Sequence, residues 1–286
     1  MPSPSKDSRR LGAALQLALG VRPRGGHAGQ TLGRAPGASL EFEDRRGYAP
    51  GDDVRHLDWR ALARTDQLLV RQYREEVTPV LELLVDDSRS MGADEDKAQL
   101  CVDLVSVLVG AAHSAGYGVR LVRLGQRPEP MELARFEADG LAFDGRVPLA
   151  ETARGAASLL RPGTARLLIS DFLSPHEPQG LVRPLGAGAG ALGLVQVLSA
   201  FDADPPVGQA FRLVDSESAE GQDLVLDEAT VSAYKSRVER LGEGLAREAR
   251  RAGGALVSVI AEGTDSLQAA CHGDLCRFGI LTPAGA

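Results

Sequence analysis

Acidic and hydroxyl side chains alternate directly after one apolar segment of the sequence. Val80–Val85 is followed at every second position by Asp86, Ser88 and Ser90, and Asp171 directly follows another apolar segment, ARLLIS. Alternate positions in a turn can aim three side-chain oxygens at one point, and such oxygens are the ligands that Mg²⁺ or Mn²⁺ prefers. The sequence therefore predicts two alternatives: a metal site formed by these four residues, or a polar turn that ends a buried strand.

The elements that would position these residues alternate between strand and helix patterns after Pro79. This alternation predicts an α/β fold with a doubly wound, mostly parallel sheet of the Rossmann type. The predicted strands are Val80–Val85, Val119–Leu124, Ala165–Ser170, Leu192–Leu198 and Ala255–Ala261, and the predicted helices are Asp94–Ala115, Pro148–Leu160 and Glu228–Arg251. Ligands bind beyond the carboxyl ends of strands in such sheets, which is where the acidic turn lies.

Three regions are predicted along the chain. Residues 1–20 form a tail and a short helix (Arg9–Leu19), residues 21–78 form an accessory β-rich segment, and residues 79–286 form the α/β domain. The predicted strands of the accessory segment are Leu40–Glu43 and Gln67–Val77. A hairpin at about 209–227 is predicted to join the accessory segment.

The accessory segment contains a dense polar stretch, RRGYAPGDDVRHLDWRALAR. Its charged residues include Asp52, Asp53, Arg55, Asp58, Arg60 and Arg64. Acids that alternate with arginines favour an ion-pair network that clamps the segment to the sheet domain over a second acidic metal cluster. Trp59 and Tyr48 are expected to be core anchors, because large aromatic side chains bury much apolar area. If the network is exposed, it is instead a docking surface for a partner.

Composition excludes several classes of protein. The net charge is −7 and the pI is about 5.4, which argues against binding to nucleic acid. No apolar run reaches the roughly 18 residues that span a bilayer, so we expect no membrane insertion and a cytoplasmic location. The chain has no G-x-x-x-x-G-K-[ST] motif, so we do not expect it to be an ATPase itself.

Two motifs resemble known families. Asp86-x-Ser88-x-Ser90 with Asp171 resembles the metal-ion-dependent adhesion site of von Willebrand factor type A domains. The GDD…DW signature, from Arg46 to Arg64, is similar to that of the domain-of-unknown-function 58 family. The resemblance implies a cytoplasmic bacterial protein with a type A domain. Its implied partner is a MoxR-type AAA+ ATPase, with which it would act in chaperone-like complex assembly.

The sequence departs from the adhesion-site pattern in one loop. That site normally takes a threonine from a second loop, which here corresponds to Phe143–Pro148 and contains no hydroxyl group. Thr152 is expected inside a helix, facing elsewhere. Arg89 and Arg146 can place positive charge where a metal ion would sit, because guanidinium groups satisfy carboxylates by paired hydrogen bonds. A bound Mg²⁺ or Mn²⁺ and a turn with no cofactor therefore both remain open.

Two functions are consistent with these residues. The first is a non-enzymatic protein-interaction module whose metal site grips an acidic residue of a AAA+ ATPase or of another client. The second is a metal-dependent hydrolase in which Asp86 and Asp171 hold the ion and Asp87 or His176 is the general base. Hydrolysis requires a positioned water in an enclosed pocket, whereas partner capture requires an ion at an exposed rim.

Overall fold

The computed structural model describes residues 1–20, 40–75, 78–214 and 221–285. Its strands are β1 (Leu15–Leu17), β2 (Leu40–Gly47), β3 (Leu69–Glu75), β4 (Val80–Asp86), β5 (Gly118–Leu124), β6 (Pro128–Met131), β7 (Ala165–Ser170), β8 (Ala191–Ser199), β9 (Ala210–Val214), β10 (Gly221–Val225), β11 (Leu256–Ala261) and β12 (Leu281–Pro283). Its α-helices are α1 (Lys6–Ala14), α2 (Trp59–Thr65), α3 (Glu95–Ser114), α4 (Leu133–Asp139), α5 (Leu149–Ala156), α6 (Pro178–Gly186), α7 (Ala200–Ala203), α8 (Glu228–Arg251), α9 (Ser266–Ala269) and α10 (Leu275–Arg277).

The central sheet has six strands in the order β11-β8-β7-β4-β5-β6. All neighbouring pairs are parallel except β5 and β6. The prediction of an α/β fold with a mostly parallel, Rossmann-like sheet is confirmed. The chain passes from β4 to β5 on one side and later enters β7 on the other side of β4. The crevice at the carboxyl ends of β4 and β7 is therefore the switch point at which such sheets bind ligands.

Helices cover both faces of this sheet. Successive residues of a strand point to opposite faces, so that Leu83 and Leu84 belong to different hydrophobic clusters. The cluster around Leu83 includes buried residues of α1 and α3, and the cluster around Leu84 includes residues of α5, α6 and α8. β4 is therefore packed between two layers of helices, one on each face of the sheet.

The N-terminal residues differ from the predicted tail and helix. Ser5 caps α1 by accepting a hydrogen bond from Ser8 N at 3.1 Å, so the helix begins earlier than predicted. It ends at Ala14, and β1 follows and pairs antiparallel with β12. Leu15 and Leu17 are both buried, which is the period-two pattern of a strand. The predicted helix over Arg9–Leu19 is therefore wrong in its second half.

Two compact units divide the chain: Met1–Arg24 with Pro79–Ala286, and Gly25–Thr78. In the smaller unit, β2 and β3 pair antiparallel with an irregularity between Phe42 and Asp44. The larger unit contains the predicted hairpin, whose strands β9 and β10 pair antiparallel with each other. That the hairpin joins the accessory strands stays a prediction. Residues 21–39, 76–77 and 215–220, on which parts of these predictions fall, lie outside the described residues.

Trp59 does not anchor a core. Its exposed fraction is 62%, whereas its neighbour Asp58 is only 1% exposed. Asp58 caps the first turn of α2 and turns inward with Leu57, which directs Trp59, the first helical residue, outward. The prediction of a buried tryptophan was wrong because the capping position, and not the apolar area of the side chain, sets its direction.

Candidate functional site

The turn after β4 brings together three of the four predicted ligands. Asp86 is buried, and its Oδ1 accepts a hydrogen bond from Ser88 N at 3.0 Å. Its Oδ2 accepts one from Ser170 Oγ at 2.6 Å, across the pairing of β4 with β7. The hydroxyl oxygens of Ser88 and Ser90 lie 3.0 Å apart. Ser88 is nearly buried and Ser90 is partly exposed, so the turn opens to solvent on the Ser90 side.

Asp171 lies at the end of the neighbouring strand β7. Its Oδ1 accepts a hydrogen bond from Leu173 N at 3.0 Å, and its backbone carbonyl accepts one from Gln196 Nε2 at 2.9 Å. The carboxylate is close enough to Asp86 that its charge helps to raise the pKa of Asp86. The structure therefore brings the predicted acids of β4 and β7 to the same end of the sheet.

A buried lysine occupies this acidic cluster. Lys97, in the first turn of α3, donates from Nζ to Asp171 Oδ2 at 3.3 Å and to Asp202 Oδ2 at 2.9 Å. Burial lowers the pKa of Lys97, but the charges of Asp171 and Asp202 outweigh this effect, so its pKa lies above the ordinary value and the amine is protonated. The positive charge beside Asp171 is thus the ammonium group of Lys97 and not the guanidinium group of an arginine.

The two arginines considered from the sequence occupy other positions. Arg146 is exposed and Arg89 is partly exposed. Within the described residues, neither guanidinium group hydrogen-bonds with Asp86 or Asp171. Arg89 instead contributes its backbone, because Arg89 N donates to Gly145 O at 3.1 Å.

The loop that lacks a threonine lies beside the acidic turn. Gly145 N donates to Asp87 O at 2.9 Å, and a β-bridge joins Gly145 to Ser88. This loop therefore meets the turn through its backbone and offers no side-chain oxygen at Gly145. Thr152 lies inside α5, as expected, and its hydroxyl donates to Leu149 O at 3.0 Å.

The two candidate general bases differ in their surroundings. Asp87 is buried and accepts two hydrogen bonds from Arg123 and one from Phe143 N at 2.8 Å. Asp87 and Arg123 therefore form a structural ion pair. His176 Nδ1 lies 2.7 Å from Ser174 O, and within the described residues its buried Nε2 has no hydrogen-bond partner. Burial lowers the pKa of His176, which keeps the ring neutral.

Asp86 is the most perturbed acid of the site. Burial, and then the charge of Asp171, raise the pKa of its carboxyl group to about 7, although hydrogen bonds from Ser170 and Ser88 oppose the shift. Without a cation, the folded protein therefore keeps a proton on Asp86 up to about pH 7, whereas the unfolded chain releases this proton near pH 4.

This shift has a measurable consequence for stability. Between about pH 4 and about pH 7 the unfolded state binds fewer protons at Asp86 than the folded state does. The contribution of Asp86 to the free energy of unfolding therefore falls as pH rises. In chelator, we expect Asp86→Asn to gain in melting temperature relative to the wild type between about pH 5 and about pH 7.5. The exposed helix cap Asp227 has a lowered pKa, so the difference for Asp227→Asn should stay constant over this range. A pH-independent difference for Asp86→Asn would contradict the assignment.

The donor chemistry fits a hard divalent cation, because all four predicted ligands supply oxygen. The set contains only two carboxylates. Accordingly, among the described residues no group of three or more His, Cys, Asp or Glu side chains is placed to hold a metal ion. Two surface cavities of about 330 and 340 Å³ are lined by neither Asp86 nor Asp171.

The polar residues of the smaller unit form local pairs. Arg46 donates to Asp52 Oδ2 at 2.7 Å and to Asp52 Oδ1 at 2.6 Å. Arg55 pairs with Asp53 at 2.6 Å, and Asp58 accepts from two backbone amides at the start of α2. These contacts are ion pairs and a helix cap, and the clamp to the sheet domain stays a prediction. Arg64 is exposed in the last turn of α2, as is Trp59 in its first turn.

Sequence analysis missed Lys97, Asp202 and Ser170. Lys97 is the first buried residue of α3, and a lysine is almost never buried without a partner. Ser199 and Asp202 form a capping box at the end of β8, which the Ser-x-x-Asp spacing indicates. No sequence signal brings the two together, because 105 residues separate Lys97 from Asp202.

Comparisons with known proteins extend over most of the chain. Uncharacterized proteins of Mycobacterium tuberculosis strain H37Rv and of Mycobacterium bovis are 29% identical over 279 residues, which is 88% of this chain and 86% of theirs.

None of the helices in the described ranges has the length and apolar character needed to cross a membrane.

Solved structures give weaker similarities. The conserved hypothetical protein BatB from Bacteroides thetaiotaomicron is 12% identical, with a TM-score of 0.40, over 67% of this chain and 94% of its own. An aerotolerance-related membrane protein from Bacteroides fragilis is 12% identical, with a TM-score of 0.41, over 70% of this chain and 99% of its own. Both scores are too low to support an argument about this chain.

The family comparison covers both the GDD…DW signature and the acidic turn after β4. It confirms the resemblance that the signature predicts: residues 44–135 match the family described as "Protein of unknown function DUF58".

Proposed function

We propose that this protein is a non-enzymatic interaction module that binds Mg²⁺ or Mn²⁺ through Asp86, Ser88, Ser90 and Asp171. The observation that carries the proposal is the placement of these four side chains at the switch point between β4 and β7. Two carboxylates come from adjacent strand ends, and the paired hydroxyl oxygens lie 3.0 Å apart. The resemblance to a metal-ion-dependent adhesion site supports the same assignment.

The proposed partner supplies an acidic side chain. Two carboxylates neutralise a divalent cation without saturating its coordination shell, and the second loop contributes only backbone at Gly145. When bound, the cation would supply an electrophilic position for an outside carboxylate. Ser90 is the most exposed of the four residues, so the partner would approach from its side. We further propose a cytoplasmic MoxR-type AAA+ ATPase, or a client with an acidic surface, as this partner.

The alternative of a metal-dependent hydrolase has less support. Its proposed base Asp87 already accepts hydrogen bonds from Arg123 and from Phe143 N, so structural contacts occupy its oxygens, although burial raises the pKa of its carboxyl group. Within the part of the chain that the structure describes, His176 Nε2 has no hydrogen-bond partner, but the acidic turn lines neither of the two cavities. Hydrolysis requires a substrate pocket that positions a water against the ion.

Cation-dependent stabilisation tests the proposal directly. Millimolar Mg²⁺ or Mn²⁺ should raise the melting temperature of the wild type by several degrees, since a ligand at a hundred times its Kd adds about 2.7 kcal/mol. Asp86→Ala and Asp171→Ala should abolish the increase. Asp204→Ala, which removes an exposed acid paired with Lys235, is the matched control and should retain it. No shift in the wild type would contradict the proposed metal site.

Partner binding provides the second arm. A purified MoxR-type ATPase should bind the wild type in Mg²⁺ and lose most of this binding with Asp171→Ala under the same conditions. Keeping Mg²⁺ constant separates the site from the ATPase's own requirement for the ion. Equal binding by both proteins would show that the interaction does not use this site.

A further inference from the structure

The position of Lys97 bears on how the proposed cation site is controlled. Its side chain is only 4% exposed, and a lysine is almost never buried unless an acid pairs with it. Asp94 caps α3 by accepting from Lys97 N at 2.8 Å, which fixes Lys97 in the first helical turn. From there its ammonium group reaches two acids that follow different strands, Asp171 after β7 and Asp202 after β8.

Lys97 uses the oxygen of Asp171 that the backbone leaves available. Leu173 N already binds Asp171 Oδ1, and Lys97 Nζ binds Oδ2 at 3.3 Å. A cation held by Asp86 and Asp171 would lie beside this ammonium group, and two positive charges at that distance repel each other. The ammonium group and the cation would therefore compete for the carboxylate of Asp171.

Asp202 offers Lys97 a second acceptor that this exchange leaves untouched. Asp202 Oδ2 binds Lys97 Nζ at 2.9 Å, which is shorter than the contact with Asp171. The same oxygen accepts from Ser199 N at 3.0 Å, so the cap of α7 holds it in place. Burial raises the pKa of Asp202, but the charge of Lys97 pulls it below its ordinary value, so the acid is ionised.

We propose that Lys97 is the resident counter-cation of this site, and that it yields Asp171 and retains Asp202 when a divalent cation binds. The inference rests on the proposed function, because it assigns the regulation of that same site. In the absence of metal, the tethered ammonium group offsets part of the negative charge of Asp171 and Asp202, and it lowers the affinity of the site for a cation. It also selects divalent over monovalent ions, since an ion of single charge gains no more from Asp171 than the lysine does.

Substitutions of Lys97 and Asp202 test this competition, because they are expected to change the affinity for a cation in opposite directions. Calorimetric titration with Mn²⁺ should show binding to Lys97→Met at least about tenfold tighter than to the wild type, because the charged contact with Asp171 is gone. Asp202→Asn should bind Mn²⁺ more weakly, since Lys97 then depends on Asp171 for its counter-charge. Lys235→Met is the matched control: it removes an exposed lysine paired with Asp204 and should bind as the wild type does.

The outcomes separate this inference from the proposed function. If the wild type binds Mn²⁺ and Lys97→Met binds equally or more weakly, the inference is overturned and the metal site stands. Binding by Lys97→Met alone supports the role of Lys97 as counter-cation, but it overturns the exchange and the proposed function for the wild type. Binding by neither protein overturns both.

A measurement on the wild type covers the case in which Lys97→Met does not fold. With ¹⁵N-labelled lysine, the ammonium resonance of Lys97 should shift on addition of Mg²⁺, while that of Lys235 should not. An unchanged Lys97 resonance at saturating Mg²⁺ would overturn the exchange.

Discussion

Replacing Glu82 by alanine is expected to lower the free energy of unfolding by about 3–5 kcal/mol, because it leaves a buried charge without its partner. Glu82 is fully buried in β4, between Arg120 of β5 and Arg166 of β7. Its Oε2 accepts from Arg166 Nε at 3.1 Å and from Thr164 Oγ1 at 2.9 Å. Arg166 is only 1% exposed, and after the substitution its guanidinium group keeps backbone carbonyl partners but no counter-charge from Glu82.

Urea unfolding of three variants would measure this effect. Glu82→Ala should show the large loss, while Lys235→Ala, which breaks the exposed pair with Asp204, should change stability by less than about 1 kcal/mol. Glu82→Gln should lie between the wild type and Glu82→Ala, because the amide oxygen still accepts one hydrogen bond. A loss below 1 kcal/mol for Glu82→Ala would mean that Arg166 finds other partners or water.

Gly145→Ala is expected to affect both stability and the proposed cation site. A Cβ atom at Gly145 would lie 2.8 Å from Gly125 Cα and 2.9 Å from Asp87 O, and neither backbone atom can rotate away. Overpacking of this kind costs about 1–3 kcal/mol. The displaced loop would also disturb the turn of Ser88, which it meets through a β-bridge, so cation affinity should fall.

A second glycine substitution controls for the added methyl group. Gly180, in α6, has open space around its Cβ position, and alanine there should be neutral or stabilising by up to about 1 kcal/mol. Both variants would be compared by urea unfolding and by Mn²⁺ titration. Gly145→Ala with the stability and affinity of the wild type would show that the loop adapts without moving the turn.

The parallel sheet was predictable because its strands have a local signature. Buried parallel strands are apolar along their whole length, and helical periodicity separates them, so Ala165–Ser170 and Glu228–Arg251 have the bounds that the sequence predicts. The N-terminal helix was predicted too long because β1 is a strand only by pairing with β12. The residues that pair are separated by most of the chain.

Glu82 shows a similar limit within a well-predicted strand. Its neighbours in β4 are apolar and buried, and the sequence presents it as a single interruption of that pattern. Its two arginine partners come from the neighbouring strands at the same register positions. Only the order of the strands brings these charges together.

The sequence by itself determined the positions of Asp86, Ser88, Ser90 and Asp171 at strand ends, since apolar runs and their polar ends are local features. Only the tertiary structure decided which charge stands beside Asp171. Lys97 and Asp202 reach it from α3 and from the end of β8, and such contacts depend on the packing of helices against the sheet. The acidic turn could be located from its spacing, but its counter-cation required the fold, because charge pairing acts through space and not along the chain.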